Sequence, residues 1–175
     1  MGSVAAGACL TLVFAQAAVH KVTDFGSFMG FVADYQIVPK SIETAVARAV
    51  VAVEMALVVL LIIDATRIIG AMLAMILLSG YAAAIAINLR RGRVQILCGC
   101  GGAPQYLSLL LVARNFVLSA LAALVVYVVL REPIGSHAVL DVREGTVALM
   151  GGAGLWLALL LFEQILANRS LAQSL

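Results

Sequence analysis

The sequence predicts an all-α membrane protein, a polytopic helical bundle of about five spans with a core of four helices and an interfacial amphipathic helix. Hydrophobic residues make up 64% of the 175 residues and charged residues only 11%, whereas a soluble domain is about 25% charged. The mean hydropathy is +1.13, so too few polar side chains are present to cover a water-soluble surface. The net charge of +2 is too small to indicate binding to nucleic acid. The expected surroundings are therefore a lipid bilayer.

Five apolar runs approach or reach the roughly 20 residues that a spanning helix needs. They cover residues 3–19, 42–63, 68–89, 106–130 and 145–167. The first run lacks the positive n-region of a signal peptide, so we expect it to remain as a helix. Its Ala and Gly content predicts close packing against neighbouring helices. Residues 64–67 alone separate the second and third runs, which predicts a tight antiparallel hairpin within a single membrane domain over residues 1–175.

The connection between the first two runs, residues 20–41, has a pattern of its own. Its apolar residues recur mostly at spacings of three and four: Phe25, Phe28, Phe31, Val32 and Tyr35. Such spacing places side chains on one face of a helix. We expect an amphipathic helix or lid that lies on the membrane surface and is ended by Pro39.

The most distinctive polar break is the loop 90–105, which holds Cys98 and Cys100 among glycines. Glycine permits backbone conformations closed to other residues and lets a partner approach closely. If the next helix begins at Pro104, its N-terminal amides face the two sulfurs and favour the thiolate. Thiolate is the attacking species in disulfide exchange. We therefore interpret Cys98 and Cys100 as the catalytic pair of a thiol–disulfide site.

Other interpretations of the cysteines stay open. Closely spaced thiolates suit Cu(I) or Zn, although only two ligands are evident, and both residues can also be small apolar residues at a helix end. Arg93, with two further arginines just upstream, adds positive potential that supports the thiolates. The third cysteine, Cys9, lies midway along the first run and either resolves a disulfide or fills space.

Charged residues inside the apolar runs form a second candidate site. Glu54 and Arg114 each lie roughly 15 Å from the same membrane surface at 1.5 Å per residue. Opposite charges at one depth in hydrocarbon are expected to pair, and Asn115 is placed to complete the network. The pair is either a structural clamp or a polar site that binds a quinone head or relays protons. Lys21 lies near the plane of the cysteine loop, where it either supports the thiols or extends to the interface.

The distribution of basic residues predicts an orientation. The side with the cysteine loop carries seven of them: Lys21, Lys40, Arg48, Arg90, Arg91, Arg93 and Arg169. The opposite side carries three: Arg67, Arg131 and Arg143. Because cytoplasmic loops are enriched in Lys and Arg, this count places the cysteines in the cytoplasm.

Several separated motifs together resemble one known family. They are His20-Lys21, Asp24-Phe25, Phe28, Tyr35, Pro39, Glu54, Gly92-Arg93, the run Cys98-Gly99-Cys100-Gly101-Gly102, and Arg114-Asn115. This set, over about residues 10–120, resembles the MauE (methylamine utilisation) family, related to the DoxX group. The family usually has Phe where this chain has Gly101, so loop packing or partner choice can differ.

The resemblance implies a redox-associated protein of the bacterial inner membrane that works with a thioredoxin-like partner, MauD in the methylamine operon. The pair would support disulfide formation and maturation of the small, quinone-bearing subunit of methylamine dehydrogenase. Disulfides persist outside the cytoplasm, so this reading places the cysteine loop on the extracytoplasmic side, against the charge count. If the loop arginines serve the thiols, they are not topology signals, and we expect an extracytoplasmic loop.

The leading hypothesis is a membrane thiol–disulfide relay, with a membrane quinone as the one cofactor left open. The alternatives are a non-catalytic assembly factor, a soft-metal-binding membrane protein, and a small transporter that uses Glu54 and Arg114. The direction of electron flow, the client protein and the oligomeric state stay open.

Overall fold

The computed structural model describes residues 2–99, 105–131 and 142–172. Within these ranges it has six α-helices: α1 (Gly2–Thr23), α2 (Phe25–Tyr35), α3 (Glu43–Ile62), α4 (Arg67–Arg90), α5 (Leu109–Arg131) and α6 (Val142–Ala172). Short 3-10 turns, Lys40–Ile42 and Asp64–Thr66, precede α3 and α4. All helices except α2 are long and apolar enough to cross a membrane. The predicted all-α class with five spans is therefore confirmed.

Four of the spanning helices, α1, α3, α4 and α5, share the main hydrophobic core. Its buried members are Ala6, Leu10, Phe14, Leu57, Leu61, Ala71, Ala74, Leu78, Leu118, Ala122 and Val125. Small residues in this set let the helix backbones approach closely, which is the main route to stable helix packing in lipid. The structure thus contains the four-helix core that the sequence predicts.

Helix α6 packs on the outside of this core, against α1. A Cβ atom at Gly152 would lie 2.6 Å from the Cβ of Ala8 and 2.7 Å from the carbonyl oxygen of Ala5, so only glycine fits at this crossing. Trp156 adds a hydrogen bond of 2.9 Å from its Nε1 to Oε1 of Gln16. The close packing expected of the Ala- and Gly-rich first span is therefore observed.

Helices α3 and α4 form the predicted tight antiparallel hairpin. The hydroxyl of Thr66 donates a hydrogen bond of 3.0 Å to the carbonyl oxygen of Leu60, and Arg67 forms an ion pair with Asp64. A Cβ at Gly70 would lie only 3.0 Å from the Cβ of Leu60. The turn is therefore closed by its own side chains and by a small residue at the crossing.

Helix α2 is the expected amphipathic helix. Asp24 caps its start by accepting a hydrogen bond of 3.1 Å from the amide of Ser27, and this bond lowers the pKa of the Asp24 carboxyl. Phe28 is buried against Ala47 and Val51 of α3. The helix ends at Tyr35 because the next residue, Gln36, adopts a left-handed conformation with φ of 46°. Termination thus comes before Pro39, which leads into the next turn.

The polar loop after α4 closes as a short antiparallel pairing. The amide of Cys98 donates to the carbonyl of Gln105 at 3.0 Å, and the amide of Leu107 donates to the carbonyl of Ile96 at 3.0 Å. Residues 105–108 are therefore not helical, and α5 begins only at Leu109. The expectation that a helix starting at Pro104 directs its amides at the sulfurs is wrong, because the residues just after Pro104 pair with the other side of the loop. Residues 100–104, with Cys100 and Pro104 themselves, lie outside the described residues.

Candidate functional site

A cavity of about 260 Å³ lies between α2, α3, α4 and the cysteine loop. Its walls are mainly apolar side chains from these elements: Phe28, Phe31, Val32, Ile37, Val38, Val46, Val50, Leu77 and Ala84. The polar or reactive side chains at its surface are Lys21, Tyr35, Tyr81 and Cys98. An apolar pocket with a few convergent polar groups is the usual form of a small-molecule site.

Cys98 is held in place by three neighbours. The Cys98 amide donates a hydrogen bond to the carbonyl of Gln105. The Cys98 carbonyl oxygen accepts a hydrogen bond of 3.2 Å from the hydroxyl of Tyr35 on α2. The next residue, Gly99, has φ of 62°, and a Cβ there would lie 2.5 Å from the ring of Phe31. Glycine is therefore required both by the backbone angle and by the contact. The result is a cysteine, 7% exposed, whose loop docks on the amphipathic helix.

Lys21 and Glu54 form a buried ion pair beside the cavity. The Nζ of Lys21 lies 2.6 Å from Oε1 of Glu54, and the two side chains are 1% and 0% exposed. The hydroxyl of Tyr81 donates a second hydrogen bond of 2.6 Å to the same oxygen. The ammonium also lies over the rings of Phe28 and Tyr81, at 5.2 and 5.5 Å from their centroids. Lys21 stands in the last turn of α1, where the helix dipole favours a cation.

This pairing corrects the prediction that Glu54 binds Arg114. Arg114 instead pairs with Glu163 of α6, at 2.5 Å between Nη2 and Oε1. The prediction compared only the depths of the two charges, whereas a contact also needs the two helix faces to be turned toward each other. Glu54 faces α1, and Arg114 faces α6.

The predicted role of Asn115 is also wrong. Its Nδ2 donates to the carbonyl oxygen of Leu111 in its own helix, at 2.9 Å. Asn88 on α4 makes the same kind of bond, to Ala84 at 3.1 Å. An amide group that bonds to the preceding turn satisfies its donor locally, so Asn115 takes no part in the Glu54 network.

The loop arginines have different surroundings. Arg91 donates a hydrogen bond of 3.1 Å from Nη1 to the carbonyl of Gln36, at the end of α2. Arg93 is half-buried, and its Nη1 is buried with no acceptor in the described part of the chain. Arg90 is exposed. At least one of the three therefore fastens the cysteine loop to α2.

Cys9 is a buried thiol in α1 that does not line the cavity. It lies 12 residues before Lys21, which corresponds to roughly 18 Å along a helix. Among the described residues, no group of three His, Cys, Asp or Glu side chains is placed to hold a metal ion.

Two residues of these clusters, Glu163 and Tyr81, were not predicted from the sequence. Glu163 is the lone acid in the fifth apolar run, and the cost of an intramembrane charge was the signal for its pairing with Arg114. Tyr81 carried no such signal, since a tyrosine within an apolar run is common as a packing residue. Only the packing of α3 on α4 shows that its hydroxyl meets Glu54.

These features define a class, namely polytopic helical membrane proteins with a thiol in the wall of a cavity and a buried ion pair beside it. A family model described as methylamine utilisation protein MauE matches residues 2–128. The chain therefore belongs to the MauE family, whose members are involved in methylamine utilisation.

Named relatives agree with this assignment. The methylamine utilization protein MauE of Paracoccus denitrificans is 35% identical over 167 residues, which are 94% of this chain and 87% of the relative. Those of Paracoccus versutus and Methylorubrum extorquens are 37% and 39% identical, over 65% and 66% of this chain and 62% and 63% of the relatives. No solved structure matches the chain significantly.

Proposed function

We propose that this protein is a membrane thiol–disulfide relay. In this proposal Cys98 and Cys100 exchange a disulfide with a thioredoxin-fold partner of the MauD type. The exchange supports disulfide formation in an extracytoplasmic client such as the small subunit of methylamine dehydrogenase. The observation that best supports this proposal is the position of Cys98, which lines the cavity and belongs to a loop that is hydrogen-bonded to α2.

The burial of Cys98 suggests a division of labour between the two cysteines. A soluble partner must bring its own sulfur into contact with the thiol that it attacks. Cys98 is 7% exposed and faces the cavity, so we assign exchange with the partner to Cys100 and exchange on the membrane side to Cys98. The disulfide between them closes a small ring, and strained disulfides are transferred readily.

We further propose that the cysteine loop lies on the extracytoplasmic face of the bacterial inner membrane. The charge count opposes this fully only if every basic residue is a topology signal. Lys21 is neutralised by Glu54, Arg91 bonds to the end of α2, and Arg93 is partly buried. By the same criterion Arg67 on the other side is discounted, because it pairs with Asp64. The cysteine side then retains four basic residues against two on the other side, so its excess falls from four residues to two and the bias is weaker.

Mixed-disulfide trapping tests the relay. A Cys98→Ser variant is co-expressed with a thioredoxin-fold partner whose own resolving cysteine is replaced by Ser. A covalent complex through Cys100 is expected to accumulate, because neither protein then keeps the thiol that would resolve the mixed disulfide. Cys100→Ser is the matched control and is expected to give none. If both variants support client maturation at the wild-type level, the relay is wrong and a non-catalytic assembly factor is the better description.

Labelling of single cysteines tests the orientation. In a chain whose own three cysteines are replaced, Gln95→Cys reports on the cysteine loop and Ala65→Cys on the α3–α4 turn at the other end of the bundle. Both sites are exposed. An impermeant maleimide added to spheroplasts is expected to label the first and spare the second. The opposite pattern would place the loop in the cytoplasm and remove the oxidative-folding role.

A further inference from the structure

We infer that the cavity beside Cys98 binds the headgroup of a membrane quinone, which serves as the electron acceptor of the relay. This inference rests on the proposed function for its redox step, but the binding site itself is argued from the cavity alone. Three properties of the cavity carry it: its opening, its hydrogen-bonding groups and its thiol.

The cavity opens toward the lipid beside Gly80 of α4. Gly80 lines the cavity and is exposed, and a Cβ placed there would meet no atom within 4 Å. The volume of about 260 Å³ is just below the range of roughly 300–1,000 Å³ for drug-sized ligands. A single substituted ring fits such a space, with an isoprenoid tail left between α3 and α4 in the lipid.

The polar groups match a ring that carries oxygen atoms. Lys21 and Tyr81 both line the cavity and converge on one oxygen of Glu54. An ammonium has three N–H donors, and Glu54 takes one of them. The other carboxylate oxygen, Glu54 Oε2, is buried and has no hydrogen-bond partner among the described residues. The cluster thus presents, at the cavity wall, an N–H donor of Lys21 for a quinone carbonyl, with the Glu54 carboxylate directly behind it.

An acyl chain explains the apolar walls but not this cluster. Buried ion pairs contribute little net stability compared with well-packed apolar residues, and charges at membrane depth usually mark functional sites. A cavity that held only hydrocarbon would gain nothing from a lysine and a tyrosine at its wall with a glutamate bonded behind them. We therefore choose the quinone over a lipid tail as the occupant.

Cys98 lines the same cavity, so a bound quinone would lie close to a thiol that it can oxidise. When the Cys98 and Cys100 thiols join, one S–S bond forms and two S–H bonds break, which releases two electrons and two protons. The quinone takes up both electrons and both protons and leaves as the quinol. Lys21 is placed to donate an N–H to the ring oxygen that gains negative charge, while the Glu54 carboxylate accepts hydrogen bonds from both the Lys21 ammonium and the Tyr81 hydroxyl.

Binding of ubiquinone-1 to the purified protein in lipid nanodiscs tests the site. Saturable binding is expected for the wild type, and also for a Cys98→Ser/Cys100→Ser variant, since binding needs no thiol. Gly80→Leu fills the opening and is expected to weaken binding at least tenfold. Gly154→Leu on α6 is the matched control, because a Cβ there also meets no atom within 4 Å and the residue does not line the cavity; it should bind as the wild type.

A milder variant tests the polar cluster without blocking the cavity. Tyr81→Phe keeps the ring but removes the hydroxyl that donates to Glu54. The carboxylate then competes more strongly with the quinone for the N–H donors of Lys21, so ubiquinone-1 binding is expected to weaken about fivefold, which corresponds to about one hydrogen bond. Because the nanodisc supplies acyl chains in large excess, a cavity that merely holds lipid tails gives no saturable ubiquinone-1 binding. That result, or equal affinities for Gly80→Leu and Gly154→Leu, overturns the inference.

The two proposals fail in different ways. If ubiquinone-1 binds as described but Cys98→Ser traps no mixed disulfide, the quinone site stands and the relay is wrong. If the mixed disulfide forms while ubiquinone-1 does not bind, the relay stands and its electrons leave by another acceptor. Oxidation of the prereduced protein by ubiquinone-1, read as loss of alkylatable thiols, is expected only when both are right.

Discussion

Lys21 at the end of α1 and Glu54 in the middle of α3 form an ion pair of 2.6 Å that is almost completely buried. Lys21 lines the cavity that Cys98 also lines, and Glu54 lies behind Lys21. The ion pair joins α1, the central helix of the bundle, to α3, on which α2 packs. It therefore connects the helical bundle to the candidate redox site. Tyr81 bonds to the same carboxylate oxygen, which brings α4 into the cluster.

Removal of one partner of this pair is expected to cost far more than removal of both. Lys21→Met leaves a buried carboxylate without its counter-ion and should lower the free energy of unfolding by about 3–5 kcal/mol. The double variant Lys21→Met/Glu54→Gln should lose clearly less, because no uncompensated charge remains. Unfolding by SDS titration in mixed micelles measures both. Lys40→Met, at an exposed site, is the control and should change stability by no more than about 0.5 kcal/mol. Strictly additive losses would contradict the pairing.

The fold was largely predictable because a membrane-spanning helix can be recognised from the hydropathy of consecutive residues alone. A long apolar run must be a helix, since lipid satisfies no backbone hydrogen bond. The run that became α4 was expected at 68–89 and is observed as Arg67–Arg90. The start of α5 was less predictable, because residues after Pro104 were free to pair with the other side of the loop. Whether these residues pair or form a helix depends on the segment on the other side of the loop and not on local hydropathy.

The site was less predictable than the fold for a similar reason. Depth along a helix follows from counting residues, but the direction that a side chain faces depends on how the helices pack. Counting placed Glu54 and Arg114 at one level, yet α1 lies between them and supplies Lys21 instead. Lys21 itself looked like an interfacial residue, because nothing in its local sequence shows that α2 and α3 bury it.

The partner of Arg114 gives a second prediction. In a double-mutant cycle, Arg114→Gln and Glu163→Gln should show a coupling energy of about 0.5–3 kcal/mol, since they form one ion pair at 2.5 Å. The cycle of Arg114→Gln with Glu54→Gln is the matched comparison and should show coupling close to zero. Both are measured by SDS titration. Coupling between Arg114 and Glu54 that exceeds the coupling to Glu163 would restore the pairing expected from depth.

Gly99 should be far less replaceable than another glycine of the same loop. Gly99→Ala would place its Cβ 2.5 Å from the ring of Phe31, whereas Gly92→Ala, also at positive φ, would meet no atom within 4 Å. Both substitutions cost about 1–2 kcal/mol for the left-handed conformation, and only the first must also displace the loop from α2. Limited proteolysis of the loop in nanodiscs is expected to accelerate strongly for Gly99→Ala and modestly for Gly92→Ala. Equal rates would show that the Phe31 contact does not hold the loop.

The hydrogen bond from Tyr35 to Cys98 should control how often the cysteine becomes accessible. In a Cys9→Ala/Cys100→Ser background, Cys98 is the remaining thiol, and N-ethylmaleimide reacts with it only when the loop opens locally. Tyr35→Phe removes a bond of 3.2 Å to the Cys98 carbonyl, worth about 1 kcal/mol, so the alkylation rate should rise about fivefold. Tyr127→Phe, on the exposed face of α5, should leave the rate unchanged. An unchanged rate in Tyr35→Phe would mean that the pairing with Gln105, and not the contact with α2, keeps Cys98 buried.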